Sequence, residues 1–313
     1  KSPVEFFSLV WKGGFSSAFS WQNTLSRVAP LVFAALCVAL PARLGLVVIG
    51  GEGAIVLGGL AAAVAGTAVA GLPAILGMPL MALAGMMLGG LWIGAIGALR
   101  IKRGVNETIS SLLMAYIAIA LFNHFVEGPF RDPASLNKPS TAPLADGLRV
   151  GDMPLVAAHW GVLAGFIACL LCWVLIERTA VGFAARIAGD NVRAAQIQGL
   201  PVARLVIGFT ALGGAFAGLA GYFEVAAVHG SANASLIAGY GYTGILVAFL
   251  ARHNPLAILL GGIEASGGLI QRRMDLPDAT ILVFEGMGFI IILLSEALYG
   301  RLGIFKSNAG GTR

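Results

Sequence analysis

Glu52 stands between Gly51 and Gly53, with Gly50 beside them, at the head of an apolar run. A carboxylate in that setting is costly unless it faces water, a partner or a ligand. Glu52, Gly50 and Gly53 are therefore candidates to line a solute path, with a structural role for the carboxylate as the alternative. A second cluster, Gly239-Tyr240-Gly241-Tyr242-Thr243-Gly244, matches G-x-G-x-x-G literally. That pattern marks a dinucleotide site only inside a strand–helix unit, and its flanks here are apolar runs of membrane length. A broken or closely packed helix fits better. Unwound backbone would offer polar groups to a cavity, with Tyr240, Tyr242 and Thr243 placed to hydrogen-bond or stack on a solute. A plain helix-packing seam is the competing account.

Other polar residues have blander readings. Asn106 can cap a helix whose first turn carries Glu107, a favourable charge at that end of the dipole. Cys169 and Cys172 form C-x-x-C inside an apolar run, and Cys37 sits in another, so all three read as buried apolar thiols. His124, His159, His229 and His253 are dispersed without metal-ligand spacing, and no serine elbow or Walker loop occurs. No catalytic residue, metal site or ATP site is expected in this chain. Glu224, Glu264 and Glu285 also fall within apolar runs while basic residues keep to the ends, which disfavours an anionic solute.

These residues must be positioned by membrane helices. The 313 residues are 58% hydrophobic and 11% charged, with mean hydropathy +0.88, whereas soluble domains carry about 25% charged residues. The net charge of +5 lies just outside apolar runs, where it orients spans, and is no sign of nucleic-acid binding. With about 20 residues per crossing, spans are expected near 25–42, 44–70, 78–99, 106–126, 156–176, 205–228, 236–251, 256–270 and 279–298. The fold class is all-α: a polytopic helix bundle of about nine spans with glycine-broken helices, one translocation domain over 1–313. Residues 127–155, rich in proline and nearly balanced in charge, read as an external loop. Loops at 100–105, 178–204, 252–254 and 300–313 are basic and read as cytoplasmic, leaving the C-terminus inside. Arg272 and Arg273 fall outside in this scheme, offset by Asp275 and Asp278. An outside start at Lys1 fits one span upstream, which would make ten in the full protein and restore a cytoplasmic N-terminus. A weak echo links the cluster opening at Gly50 with the one at Tyr240, as duplicated transporter halves would.

The 177–204 stretch carries Arg178, Arg186, Arg193 and Arg204 against few acids. As the longest inside loop, it is where a soluble partner would grip the chain.

Taken in order, several motifs resemble the permease subunits of bacterial ABC importers of the branched-chain amino acid and ribose superfamily, in its nucleoside or simple-sugar branch. They are the stretch from Arg43 to Ala54 (R-L-G-L-V-V-I-G-G-E-G-A), Gly104-Val105-Asn106-Glu107, the loop R-I-A-G-D-N-V-R-A-A-Q-I-Q-G-L from Arg186 to Leu200, G-Y-G-Y-T-G-I from Gly239 to Ile245, and A-R-H-N-P-L-A from Ala251 to Ala257. The resemblance implies a translocation subunit in the bacterial inner membrane. Its partners would be cytoplasmic ATPases that carry ATP and Mg, a second, non-identical permease and an external lipoprotein receptor. It also implies a coupling helix in the 178–204 loop, with Arg186, Asp190, Asn191, Arg193 and Gln196 at the ATPase contact. Tyr116, in the match to the family's M-L-N-Y-I-A run, joins the solute path. Val48, Ala54 and Ala115 replace polar residues of the family pattern, which points to a less hydroxylated or more aromatic solute such as a nucleobase. The rival reading is an ion-driven secondary transporter using Glu52, Glu224 or Glu264 as cation sites.

Overall fold

The computed structural model describes residues 18–154 and 158–265, and singly Met287 and Ile290. The chain divides into two compact units, Lys1–Gly268 and Leu269–Arg313, and every element below lies in the first. The described residues are helical, with only isolated bridges at Ser140–Asn233 and Asp152–His159.

Among the described residues, six helices are long and apolar enough to cross a membrane. They are α1 (Ala18–Ala42), α2 (Gly51–Ala68), α3 (Ala74–Arg103), α4 (Glu107–Glu127), α5 (Gly161–Arg178) and α8 (Val202–Phe223), which a π-helical turn extends through Glu224–His229. Between α5 and α8 lie α6 (Ala180–Asp190) and α7 (Val192–Ile197). Two shorter helices follow, α9 (Tyr240–Leu250) and α10 (Pro255–Ala265).

Helix α1 is the axis of the bundle, its residues from Leu31 to Leu40 fully or almost fully buried. It packs against α8, α9, α5 and α10. Helices α3 and α8 cross along a glycine seam. A side chain on Gly89 would strike the Gly214 carbonyl, and one on Gly218 the Gly85 carbonyl, so only glycine permits this approach. Outer faces carry Ile75, Leu83, Met87 and Leu91 on α3 and Phe166, Ile167 and Leu171 on α5, all exposed apolar groups suited to lipid.

Helix ends alternate between two poles. At one, the Arg43 guanidinium donates to His253 O at 3.0 Å and Gly189 packs on the Arg43 carbonyl. At the other, the amides of Thr141, Leu144 and Val150 reach Ala232, Gly230 and Ala226 at 2.9, 2.8 and 2.9 Å. The polar loop after α4 thus caps the pole opposite the 178–204 loop.

Two expected spans begin elsewhere. The second starts at Gly51, and residues 46–49 run in without helix: Ile49 N donates to Ser111 Oγ at 3.0 Å and Thr108 Oγ1 to Val47 O at 3.0 Å. The seventh starts at Tyr240, because Gly239 adopts φ +81° there. Its 11 residues rise only about 16 Å, half a hydrocarbon core. Nine full helical spans are therefore not found among the described residues. The end of the eighth segment, the ninth at 279–298 apart from Met287 and Ile290, and Glu285, Arg272, Arg273, Asp275 and Asp278 lie outside them, as does the 300–313 tail.

Candidate translocation junction and coupling surface

The two glycine clusters meet. Glu52, fully buried in the first turn of α2, accepts the amide of Gly239 on Oε1 at 2.8 Å and that of Gly241 on Oε2 at 2.6 Å. One carboxylate thus caps the N-terminus of α9 from another helix, satisfying amides that have no partner within α9. Gly51 lies 3.7 Å (to an added Cβ) from the Gly241 Cα, and a Cβ on Gly241 would collide with the Glu52 backbone. Both helices turn their positive ends toward this point, each worth roughly half a charge, so the Glu52 charge is nearly balanced. Gly50 and Gly53 face the other way. An added Cβ on Gly50 would come 2.5 Å from Ser111 O and one on Gly53 2.8 Å from the Ala115 Cα, so both let α2 lie close on α4.

Aromatic hydroxyls gather beside the junction. Tyr116, midway along α4 and 60% exposed, lies beside Tyr242. The Tyr240 phenol lies within the fields of Glu224, Arg27 and Glu52. Glu224, only 2% exposed, holds His229 Nε2 at 3.3 Å on the π-helical turn. Thr243 Oγ1 donates to Gly239 O at 3.3 Å within its own helix. Glu52, Tyr116, Tyr240, Tyr242 and Thr243 are thereby brought to one region. Arg27, Gly51 and Ser111 join them without a sequence signal, apart from the glycine run that contains Gly51. Val48, Ala54 and Ala115 are fully buried.

Asn106 caps α4, accepting from Thr108 N at 3.0 Å and Ile109 N at 3.1 Å, and Glu107 pairs with Arg100 at 3.3 Å. Cys37, Cys169 and Cys172 are free and buried, and no cluster of metal-ligating side chains occurs among the described residues.

At the pole that carries Arg43, Thr179 caps α6 through Gly182 N at 3.1 Å and Asn191 caps α7 through Ala194 N at 3.0 Å. Arg186 turns back to Ile176 O at 2.9 Å and Glu177 at 3.1 Å. Of the five residues expected at an ATPase contact, Arg186 and Asn191 thus already hold the loop together. Asp190, Arg193 and Gln196 are exposed. Beside them stand Phe183 and Ile197, 63% and 82% exposed, two apolar groups that a charge-based reading of the loop passes over.

A membrane-spanning bundle in which a half-length helix meets the start of a span, with a helical loop presented at one pole, is the form of a solute-translocating subunit. Residues 20–266 match the model of the branched-chain amino acid transport system permease component, and the chain belongs to that family. It is 32% identical over 309 residues to the glucose ABC transporter permease protein TsgB13 of Haloferax volcanii, covering 94% of this chain and 81% of that one. It is 30% identical over 318 residues to the guanosine ABC transporter permease protein NupP of Bacillus subtilis, covering 93% and 87%. A probable riboflavin import permease protein of Treponema pallidum is 24% identical over 272 residues, covering 82% and 71%. The chain is accordingly a translocation subunit of an ABC importer. Ion-driven secondary transport is not favoured: Glu52 is engaged by two amides and Glu224 by His229, and the relatives carry the names of ABC permeases.

Proposed function

We propose that this subunit passes a neutral, polyhydroxylated solute, a nucleoside or a simple sugar, across the bacterial inner membrane. The supporting observation is the junction itself. Its carboxylate is balanced by two helix N-termini, and the groups left to meet a solute are the phenols of Tyr116, Tyr240 and Tyr242. Such a surface suits hydroxyls and flat rings better than ions. Glucose, guanosine and riboflavin, for which relatives are named, share that neutral, hydroxyl-rich character.

In this reading the pole bearing Arg43, Arg100, Lys102, Arg103, Arg178, Arg186, Arg193 and Arg204 faces the cytoplasm, and residues 256–298 complete about nine spans. Cytoplasmic ATPases holding ATP and Mg dock on α6 and α7, with Arg193, Asp190 and Gln196 ringing Phe183 and Ile197. The exposed Tyr116 side of α4 faces a second, non-identical permease, so that the path runs between the two chains. An external lipoprotein delivers the solute. ATP-driven movement of α6 and α7 shifts the bundle between outward- and inward-open forms, a population shift that needs differential binding of nucleotide to the two.

The test is uptake into proteoliposomes containing the purified complex with ATP enclosed. Labelled guanosine or glucose should accumulate with an uncoupler present, and free guanine should compete poorly. Guanine outcompeting guanosine and glucose would overturn the solute class, and uptake abolished by the uncoupler alone would overturn the energy source.

A further inference from the structure

Helix α9 is held at both ends by one short segment of another part of the chain. Glu52 accepts the amides at its N-terminus, Gly239 and Gly241. Arg43, nine positions earlier in sequence, donates from Nη2 to His253 O at 3.0 Å, just past its C-terminus. The acid sits at the positive end of the helix dipole and the base at the negative end, the favourable sign at each. Both His253 and Arg252 take left-handed backbone, φ 55° and 48°, a conformation rare for residues other than glycine. It sends the chain back over the end of α9, where His253 N bonds Ala248 O at 2.8 Å.

The same segment touches the helical loop. A Cβ on Gly189, near the end of α6, would strike the Arg43 carbonyl, and Gly45 takes φ +73° with Gly189 O beside it. Burial lowers the Arg43 guanidinium from its ordinary value, Glu177 raises it again and Arg186 lowers it, so the charges that brace α6 also reach Arg43. It remains a cation at physiological pH.

We infer that residues 43–52 form a strut, clamped to α9 by Arg43 and Glu52, that makes α9 and the tyrosine junction travel with α6 when the partner ATPases close. The inference rests on the permease reading above and adds a positioning role for Arg43 and Gly189, neither of which touches the solute path. Rigid coupling of this kind needs a continuous set of contacts with two discrete positions. Gly189 to Arg43, Arg43 to His253, and Glu52 to Gly241 supply the contacts.

The experiment uses the assembled transporter in liposomes and reads solute imported per ATP hydrolysed. Arg43→Gln should keep receptor-stimulated hydrolysis within about twofold of wild type while transport per ATP falls about tenfold, the worth of one charge-assisted hydrogen bond. Arg43→Lys should recover part of the ratio, and Gly189→Ala should lower it as Arg43→Gln does. Because these variants could misassemble, a second measurement keeps Arg43 intact. Cys37, Cys169 and Cys172 are buried, so spin labels can be placed selectively by Val181→Cys and Leu250→Cys, both exposed positions. The distance between them should change by less than about 2 Å between nucleotide-free and trapped states, the scale of a small helix shift. A larger change, or an Arg43→Gln complex with wild-type stoichiometry, overturns the strut. A wild-type complex that hydrolyses ATP without importing solute overturns the permease reading instead.

Discussion

The Oε2 atom of Glu52 accepts the amide of Gly241 at 2.6 Å across 189 positions of sequence, and its Oε1 accepts that of Gly239 at 2.8 Å. Glu52→Ala would strand two amides, each costing about 1–3 kcal/mol when left without an acceptor. We expect the purified chain to lose about 3 kcal/mol or more, and Glu52→Gln, which keeps one carbonyl oxygen, roughly half of that. Thermal unfolding in detergent measures both. Unchanged melting of the alanine variant alongside lost transport would mark Glu52 as a solute contact only.

The α3–α8 crossing makes a contrasting prediction. Gly218→Ala drives a methyl group into the Gly85 carbonyl and should cost about 1–3 kcal/mol, as overpacking does. Gly208→Ala, on the same helix with nothing within 4 Å of an added Cβ, should be neutral or stabilise by up to about 1 kcal/mol. Equal melting temperatures for the two variants would contradict the seam.

The long helices were legible because run length and terminal charge report burial in lipid directly: Arg100, Lys102 and Arg103 end α3 where the apolar run ends. Helix starts inside an apolar run are not legible in that way. Hydropathy is continuous from Leu236 to Leu250, and only the φ of +81° at Gly239 makes α9 half as long as a span. The glycine clusters did advertise both ends of the junction, and their similarity to each other was visible. That they touch depends on a tertiary hydrogen bond no local pattern encodes. At the helical loop, contacts and exposure add what charge does not carry. Arg186 looks like a docking cation, yet the nearest acid and carbonyl are its own neighbours Glu177 and Ile176, whereas Phe183 and Ile197 look like core and are exposed.

That distinction separates two charge reversals. Arg193→Glu alters an exposed position and should leave melting within about 0.5 kcal/mol while weakening ATPase binding and coupled transport. Arg186→Glu also breaks an ion pair whose partners are each partly exposed, adding an intrinsic loss of about 1 kcal/mol or less. Co-purification of the ATPase with each variant, beside melting of the isolated chain, resolves docking from stability. Full coupled transport by Arg193→Glu would remove it from the contact.

Asn106 offers a case where a sequence motif should prove structural. Its side chain accepts from two amides in the first turn of α4, and Asn106→Ala should cost about 1 kcal/mol, as lost caps do. Transport per assembled complex should stay at the wild-type level. A drop in that ratio at unchanged yield would give Asn106 a part in the path.

Tyr116 of α4 and Tyr242 of α9 lie side by side, and their phenol groups offer two different services to a solute. The hydroxyl meets other hydroxyls, and the ring offers a face for stacking. Phenylalanine keeps the second and removes the first. In Tyr242→Phe, glucose uptake should therefore fall about tenfold, since a site built to hydrogen-bond a hydroxyl discriminates strongly once a partner is missing. Guanosine, whose base retains a stacking surface, should lose less, so the ratio of guanosine to glucose uptake rises. Tyr242→Leu removes ring and hydroxyl together and should bring guanosine down toward glucose. Competition uptake with both labelled solutes in one liposome preparation reads the ratio directly, independent of how much complex is assembled. A ratio that does not move between wild type and Tyr242→Phe would place Tyr242 outside the path and leave its place beside Tyr116 as helix packing.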